Sequence, residues 1–597
     1  MLITAFAVGI YAYLFLLGWG PTCLILPDRL QPYRTWLAPW MGSMTAAFVL
    51  VWLSRLGIDA VTATHILTAL GLLVAGWTLG FANVKRPDVT SLALPLTLTS
   101  VATLALILIP LWRISTIPTT VTAGNNDPVA YIAVADFLKH ASIAHPPAID
   151  SRRLMTVLIN GWMETTDRPG TELQISLFAA LFHVPSYRVF SILLAVMFAA
   201  TVPLAGIFAS SMEAGIFASL LTLALSVFNV FQLYWYYHGF APQLLSQGCI
   251  VIFFILLAGF DSKQEDCLRY AMALGVVLAI ISSEYPEAVP FILVPYGVYG
   301  AANLAGEQTS RRNLLFRFAV PLVIGVAIDP VTFWHCIVSL RGDIALAGGW
   351  ALPRWALPAD LIGLTYFHLL GASKVAALVF SIPVLYFVIV GFSLWPNRRL
   401  TAALVLTICV FVFHTLVVLS YSYGYHKILA VYSFVVIAAF ATGLRNFLFR
   451  YRELATNFSP ARATLASVVI VTFLQAGIVA IKHGRYVVTE DLVEIGSLRS
   501  LTGHHTVVVT DQFFWNQMWQ VYFLDPTPVI VTKPNGYFAY ILGGTPSPND
   551  YLLAGRDSSV PDGRDLLWQN RSYALLGSAR ANSSDRSTHR QKEIPKR

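Results

Sequence analysis

Residues 90–112 read TSLALPLTLTSVATLALILIPLW, a stretch without a single charged side chain. At 1.5 Å per residue, a helix of about 20 such residues crosses the roughly 30 Å hydrocarbon core of a bilayer. Comparable runs recur along the chain and predict about fourteen membrane-spanning helices. They lie near residues 2–20, 36–54, 62–82, 90–112, 186–207, 214–230, 243–260, 268–283, 286–304, 315–334, 374–395, 400–420, 425–444 and 463–481.

The composition of the 597-residue chain excludes several other classes of protein. The chain is 56% hydrophobic and only 12% charged, whereas about 25% of the residues in soluble domains are charged. This bias excludes a soluble globular fold, intrinsic disorder and a collagen-like chain. The five cysteines are scattered without a CxxC pair, so neither a disulfide framework nor a zinc site is predicted. The fold class is therefore an all-α polytopic membrane protein.

The positions of the basic residues predict how the helices are oriented. With fourteen crossings, the Lys and Arg residues between spans fall largely on one side, which the positive-inside rule makes cytoplasmic. This places the N-terminus, the loops 113–185 and 335–373, and everything after about residue 482 on the outer side of the membrane. The first apolar run is predicted to be a retained helix rather than a signal peptide. The net charge of +8 is spread over loops and the C-terminal tail rather than one face, which argues against nucleic-acid binding.

A long outer loop follows the fourth span and opens with an acidic helix start. Residues 124–138 read GNNDPVAYIAVADFL. Asp127 suits a helix N-cap and Pro128 the first helical turn, and the apolar spacing that follows predicts an amphipathic helix at the membrane surface. A second such stretch runs from Leu173 to Val184. Asp127 is then either a cap alone or a functional carboxylate beside the lipid head groups.

This layout resembles the GT-C superfamily of membrane glycosyltransferases, including its mannosyl- and arabinosyltransferases, which use polyprenyl-phosphate-linked sugars as donors. The matching features are a span followed by a long outer loop, the D-x-x-x-Y run from Asp127 to Tyr131, and the RPGTEL stretch at 168–173. Loop 335–373 takes the place of the family's second large outer loop. The resemblance covers residues 90–597, and the helices before residue 83 are additional to the family's usual start.

The resemblance implies roles for acidic residues on the outer side. In the family, an acid close after the first span is a catalytic base or binds a metal, which implies that role for Asp127. The SSEYPE stretch at 282–287 adds Glu284 and Glu287, and carboxylates near a bilayer are costly enough to be functional candidates. With Mg²⁺ or Mn²⁺, Asp127 and Glu284 would supply oxygen ligands. The alternative is a polar turn in which Glu287 caps the next helix.

Basic and aromatic residues complete the candidate site. Donor phosphate would be bound by Lys427, His426, Arg152 and Arg153. Sugar stacking on aromatic rings makes substrate-lining candidates of Tyr131, Trp235, Tyr236 and His238. An interfacial aromatic belt with snorkelling Lys and His side chains is the competing explanation. Further candidates, without a motif behind them, are Asp329, Trp350, Arg354 and Trp355.

The composition changes again after residue 482. Residues 506–510, 528–532, 551–554 and 573–576 read as strands and residues 512–523 as a helix, which predicts a small outer α/β domain. The predicted domains are 1–89 (extra helices), 90–482 (catalytic module), 483–577 (the α/β domain) and 578–597 (a disordered basic tail).

The predicted function is an inverting glycosyltransferase of the inner (cytoplasmic) membrane. A polyprenyl-phosphate sugar is the donor, and a glycan, lipid or protein is the acceptor at the outer face. The alternatives are a transporter or flippase for a lipid-linked sugar, an enzyme like an O-antigen ligase or polymerase, and a non-catalytic scaffold. Lys and Arg are nearly absent from the span centres and no internal repeat is evident, which disfavours a transporter.

Overall fold

A computed structural model of the chain describes residues 1–80, 91–165, 169–227, 229–260, 267–305, 314–346, 355–364, 374–452, 486–532, 545–557 and 564–579. They divide into two units. The first comprises Met1–Pro146 and Gly161–Val487, and the second Pro147–Asn160 and Val488–Arg597. The predicted domain boundaries near residues 89 and 482 lie outside the described residues, as does nearly all of the predicted tail.

The first unit is built from long apolar helices. Its elements are α1 (Leu2–Ile25), α2 (Arg34–Arg55), α3 (Ala60–Gly80), α4 (Ala93–Ile114), β1 (Val121–Thr122), α5 (Asp127–His140), α6 (Leu154–Thr165, shared with the second unit), α7 (Pro169–Leu181), α8 (Ser186–Ser211), α9 (Ile216–Val227), α10 (Val230–His238), α11 (Ala241–Gly259), α12 (Cys267–Glu284), α13 (Val289–Ala305), α14 (Val320–Ile328), α15 (Pro330–Leu346), α16 (Pro358–Leu361), α17 (Lys374–Leu394), α18 (Arg398–Phe413), α19 (Ser422–Arg452) and β2 (Tyr486–Val487). The polytopic all-helical class predicted for this part of the chain is confirmed.

The number of spans differs from the predicted fourteen. Among the described residues, eleven helices are long and apolar enough to cross a membrane, or twelve if a bent pair counts as one span. The first thirteen predicted spans each overlap a helix, and the fourteenth, 463–481, lies outside the described residues. The predicted span 315–334 is bent by 96° between Ile328 and Pro330, because proline cannot donate the backbone hydrogen bond that would continue the helix.

Small residues let neighbouring helices approach each other closely. A Cβ atom added to Gly18 of α1 would lie 1.7 Å from the Ala38 carbonyl oxygen of α2, and one added to Gly391 of α17 would lie 1.8 Å from the Ala439 oxygen of α19. Inside a bilayer, helices associate through close packing rather than through the hydrophobic effect. These glycines therefore set the helix crossings.

Contacts between helix ends sort the charged residues into two groups. At one end, Arg269 pairs with Asp28 at 2.7 Å, Arg445 donates to the Ala214 carbonyl, and Arg399 donates to Asn303. At the opposite ends of these helices lie the acids Glu284 and Glu287 and the ion pair between Arg55 and Asp329. The helix ends thus separate the basic loops from the candidate acids, whereas the assignment of the basic end to the cytoplasm stays a prediction.

The loop after α4 is attached to α8 and to the chain beyond residue 485. The Thr120 hydroxyl donates to the Tyr187 carbonyl at 2.6 Å, and strand β1 pairs antiparallel with β2. The two helices predicted in this loop are present as α5 and α7. They differ from the prediction in being buried along most of their length, from Pro128 to Ala135 and from Pro169 to Ala180, rather than along one face.

The second unit contains a five-stranded sheet. Its elements include α20 (Glu490–Glu494), α21 (Arg499–Thr502), β3 (Val507–Val509), α22 (Phe514–Leu524), β4 (Val529–Val531), β5 (Tyr551–Gly555), β6 (Leu566–Gln569) and β7 (Tyr573–Leu576). The strand order is β4-β3-β5-β7-β6, with the first three parallel and β7 antiparallel to both neighbours. The four predicted strands and the predicted helix are confirmed, and the half-exposed strand β6 was missed.

Residues 147–160 join this sheet although they precede it by more than 300 residues. The Val529 N–H donates to the Arg152 carbonyl at 2.9 Å, and Arg153 pairs with Asp525. Tyr573 is buried in β7, and this burial, with a smaller contribution from the Asp511 charge, raises the pKa of its hydroxyl to about 12. Tyr573 is therefore neutral at physiological pH.

Candidate active site

The loop that carries Asp127 is bound to the end of helix α10. The Asn125 side-chain amide donates to the His238 carbonyl at 3.0 Å, and the Ala123 N–H donates to the Tyr237 carbonyl at 2.6 Å. The last carbonyls of a helix have no partner within the helix, so they accept hydrogen bonds from outside it. The loop is therefore held at the C-terminal end of α10.

Gly239 allows α5 to begin directly against α10. Its φ angle of 68° lies in the left-handed region that glycine adopts without steric cost. A Cβ atom at this position would lie only 2.4 Å from Cγ of Pro128. The location of Asp127, the residue before Pro128, thus depends on a glycine at the end of the aromatic run 231–240.

Asp127 lies near the C-terminal end of α10. It is the first residue of α5 and is partly buried. Asn125 and Pro128, on either side of it in the chain, contact the end of α10 at His238 and Gly239. The positive end of the α5 dipole favours a carboxylate at this position. The structure therefore places a partly exposed carboxylate at the start of α5, beside the end of α10.

Glu287 and Lys427 form an ion pair between the turn after α12 and helix α19. The Tyr285 hydroxyl donates to the same Glu287 oxygen at 2.9 Å, and the Lys427 ammonium lies 4.8 Å from the centre of the Tyr423 ring, within cation–π range. The side chains of Glu287 and Lys427 are only 14% and 16% exposed. Phe240, just past the end of α10 that holds the Asp127 loop, lies 6.2 Å from the same Tyr423 ring, so the ion pair and the Asp127 loop lie near one tyrosine.

Aromatic and imidazole rings from α10 and α19 surround Tyr234. Its ring centre lies 4.0 Å from that of His238 and 4.7 Å from that of His426. Phe240 lies 5.7 Å from His238 and 6.2 Å from Tyr423. Ligand sites commonly combine such apolar and aromatic walls with a few polar groups. Tyr234, Phe240 and His426 are buried, so the rings of this region that a ligand can reach are the partly exposed ones of His238 and Tyr423.

Glu284 lies in a separate, fully buried polar network. Its carboxylate accepts hydrogen bonds from Thr171 at 2.9 Å and from Gln174 at 2.5 Å, and Gln174 in turn accepts one from Ser43 at 2.7 Å. A Cβ atom at Gly170 would lie 2.8 Å from the carboxylate. The network links α12 to α7 and α2. These contacts favour a positioning role for Glu284 over contact with substrate.

The donor set at Asp127 and Glu284 does not fit a Mg²⁺ or Mn²⁺ ion. Each oxygen of Glu284 already accepts a side-chain hydrogen bond, and Glu284 is 1% exposed. Over the described ranges, no three His, Cys, Asp or Glu side chains are grouped closely enough to hold a metal ion. Such ions require about six oxygen ligands, although water and substrate often supply several.

Three of the predicted substrate-lining residues are packed inside the protein. Tyr131 and Trp235 are 1% exposed and Tyr236 is 3% exposed. Their rings hold α5 and α10 in the first unit and have no surface open to a ligand. His238, which is partly exposed beside Tyr234, is the lining candidate that belongs to the aromatic region described above.

The remaining predicted residues lie elsewhere. Arg152 and Arg153 belong to the second unit, where Arg153 pairs with Asp525 at 3.4 Å. Trp350 and Arg354 lie outside the described residues, and Trp355 contacts the Tyr425 ring at 5.5 Å. Their roles in substrate binding stay predictions.

Asp329 has a structural partner at the bend between α14 and α15. Arg55 donates to its carboxylate at 2.6 Å and to the Thr332 hydroxyl at 2.6 Å. Asp329 also accepts hydrogen bonds from the backbone and the hydroxyl of Thr332. These hydrogen bonds satisfy the Asp329 carboxylate, so Asp329 is explained as a residue that stabilises the bend.

The structure adds residues that the sequence analysis did not assign to the site. Tyr234, Tyr285 and Tyr423 contact the predicted charged groups, and Asn125 and Gly239 position Asp127. The sequence could have indicated the three tyrosines, since each lies within four residues of a predicted site residue. No local pattern identified Asn125 or Gly239, because their partners lie more than 100 residues away.

No protein-family model matches the chain, and no curated protein matches it. Two solved structures are similar to it over most of its length. One is ArnT from Cupriavidus metallidurans in the apo state, with 11% identity, a TM-score of 0.45 and coverage of 82% of this chain and 98% of that one. The other is the same ArnT bound to undecaprenyl phosphate, with 11% identity, a TM-score of 0.45 and coverage of 83% and 100%.

At 11% identity and a TM-score of 0.45 the likeness is distant and concerns the course of the chain. It does not extend to residue roles, substrates or activity.

Proposed function

We propose that this protein is a membrane glycosyltransferase that transfers a sugar from a polyprenyl-phosphate donor to an acceptor hydroxyl at the outer face of the inner membrane. The observation that carries the proposal is that the end of α10 that holds the Asp127 loop and the Glu287–Lys427 pair meet at Tyr423, whose ring lies 6.2 Å from Phe240 and 4.8 Å from the Lys427 ammonium. This region lies at the helix ends opposite the Arg269, Arg399 and Arg445 contacts. It supplies a base, a cation and aromatic walls together.

Asp127 acts as the general base. The acceptor hydroxyl gives its proton to the Asp127 carboxylate while its oxygen forms a bond to the anomeric carbon of the donor sugar. The bond from that carbon to the phosphate oxygen breaks, and the polyprenyl phosphate leaves with the electron pair. Direct displacement inverts the anomeric centre and needs no covalent enzyme intermediate. Such a positioned base typically contributes 10²–10⁴-fold to the rate.

Lys427 stabilises the leaving phosphate. Negative charge develops on the phosphate oxygen as the bond to the sugar breaks, and a preorganised ammonium in a poorly solvated site stabilises that charge strongly. In the absence of the donor, Glu287 neutralises Lys427, and the Tyr285 hydroxyl holds Glu287 in place. The donor phosphate therefore competes with Glu287 for the ammonium.

The test is mass analysis of lipid-linked sugars and envelope glycans in a strain that lacks the protein. The expected result is a sugar accumulating on its polyprenyl-phosphate carrier, with the same sugar missing from an envelope glycan, lipid or protein. Wild-type protein should reverse both changes and Asp127→Asn should reverse neither, although the variant is inserted normally.

Two outcomes would contradict the proposal. Movement of a lipid-linked sugar across sealed vesicles by the purified protein, without any transfer, would identify a flippase. Loss of long glycan chains with normal transfer of single sugars would identify a ligase or polymerase.

A further inference from the structure

A cavity of about 360 Å³ lies between α3 and the C-terminal end of α7. Aliphatic side chains, including Leu72 and Leu181, form much of its wall. Its polar lining consists of two hydroxyls and two imidazoles, from Thr64, Thr68, His65 and His183. None of these residues contributes to the candidate active site, and α3 belongs to the additional N-terminal helices.

The two imidazoles of the cavity can donate hydrogen bonds to an anion, whereas the Thr64 and Thr68 hydroxyls donate to the Ala60 and Thr64 carbonyls of their own helix. His65 and His183 are both exposed, and the Thr68 hydroxyl shares a hydrogen bond with Tyr13. The Lys139 ammonium donates to the Val184 carbonyl at 3.1 Å, which brings a positive charge to the residue after His183. No acidic side chain is among the described residues that line the cavity. Imidazole N–H and ammonium groups both donate to phosphate oxygens.

The polar residues of the cavity lie near the start of α3, one of the helices long and apolar enough to cross a membrane. Helix α3 begins at Ala60, and His65 follows five residues later, or about 8 Å along the helix at 1.5 Å per residue. Below His65, α3 presents exposed apolar residues, with Leu72 55%, Leu73 68% and Trp77 51% exposed. The polar end is thus continuous with a surface suited to an acyl chain.

We propose that this cavity binds an anionic phospholipid of the bilayer. The phosphate contacts His65, His183 and Lys139, and one acyl chain lies against the aliphatic wall and the exposed face of α3. A free phosphate ion would use the donors alone and leave the aliphatic wall without a partner. A neutral or zwitterionic lipid would also pack against the aliphatic wall, but it has no net negative charge for the basic end of the cavity to attract.

The experiment uses the full-length protein in nanodiscs of phosphatidylcholine with added phosphatidylglycerol, followed by native mass spectrometry after release into mild detergent. The wild-type protein should retain one phosphatidylglycerol in preference to phosphatidylcholine. The double variant His65→Ala/His183→Asn should retain about tenfold less, since hydrogen bonds to charged groups contribute at least this much. Asn is chosen at position 183 because it tolerates the φ angle of 53° there.

Two further variants make the result decisive. His504→Ala, in the second unit, is the matched control and should retain phosphatidylglycerol like the wild type. Ala69→Phe fills the apolar part of the cavity and should lower phosphatidylglycerol retention while all three basic groups remain. Equal retention of the two lipids by the wild type, or unchanged phosphatidylglycerol retention in Ala69→Phe, would overturn the proposal, even if the double variant did not fold.

Discussion

Asp127 is the residue on which the proposed chemistry depends. Asn at this position keeps the size of Asp but cannot accept the acceptor proton. Asp127→Asn should therefore lower kcat by about 10²–10⁴-fold with little change in the donor KM. The measurement is steady-state transfer by the purified protein.

The matched control for this variant is Asp136→Asn on the same helix. Asp136 accepts a backbone hydrogen bond from Ser186 and is not part of the candidate site. It should retain kcat within a few-fold of the wild type. Transfer by Asp127→Asn at the wild-type rate would show that Asp127 is not the general base.

The Glu287–Lys427 pair can be tested by a double-mutant cycle. Removing one partner leaves the other charge poorly solvated, so Glu287→Gln and Lys427→Met should each lower the thermal unfolding temperature. The double variant should recover much of this loss, because neither charge is then left unpaired. Transfer should nevertheless remain low in the double variant, since the leaving phosphate has lost its cation. Additive effects on unfolding temperature would show that the two residues do not interact.

The end of α10 and the start of α5 act as one element. Gly239→Ala puts a methyl group against Pro128 and gives a non-glycine residue a left-handed conformation, which costs about 1–2 kcal/mol. We expect a fall in kcat with an unchanged helical circular dichroism spectrum, because the start of α5 moves while the spans persist. The control is Gly297→Ala on α13, where an added Cβ meets nothing within 4 Å. An active Gly239→Ala variant would show that Asp127 does not depend on this contact.

The network around Glu284 links three helices. Two substitutions of Glu284 test whether this residue positions the helices or takes part in catalysis. Glu284→Gln can keep hydrogen bonds to both Thr171 and Gln174, so it should retain kcat within a few-fold. Glu284→Ala leaves buried donors unsatisfied, at about 1–3 kcal/mol each, and should lower the unfolding temperature. If Glu284→Gln folds normally but loses transfer by more than about 100-fold, Glu284 is part of the catalytic machinery after all.

The distribution of charge over the whole molecule predicts which end of the helices faces the cytoplasm. Ser420 is exposed at the end that holds Lys427, and Glu213 is exposed at the end where Arg445 binds the Ala214 carbonyl. With the native cysteines replaced by alanine, Ser420→Cys should react with a membrane-impermeant maleimide in intact cells. Glu213→Cys should react only after permeabilisation. The reverse pattern would invert the topology and place the candidate site in the cytoplasm.

Local properties of the chain account for what the sequence predicted well. Apolar runs identified thirteen helices of the described chain and the strands β3, β4, β5 and β7, because hydrophobic length and periodicity are set by neighbouring residues. Pro330 likewise indicates, from the local sequence alone, the bend at Asp329-Pro330. The edge strand β6 had none, since its residues are half-exposed and do not alternate.

Hydrophobic length and the positions of the charges were enough to establish the membrane class, the course of the spans and the separation of acids from basic loops. The tertiary structure alone decided which candidates meet. It pairs Glu287 with Lys427 across 140 residues, buries Glu284 against Thr171 and Gln174, and assigns Arg153 to the second unit. The reason is physical. Contacts between distant residues depend on how helices cross, and those crossings are set by the packing of small residues and buried polar groups rather than by any local pattern.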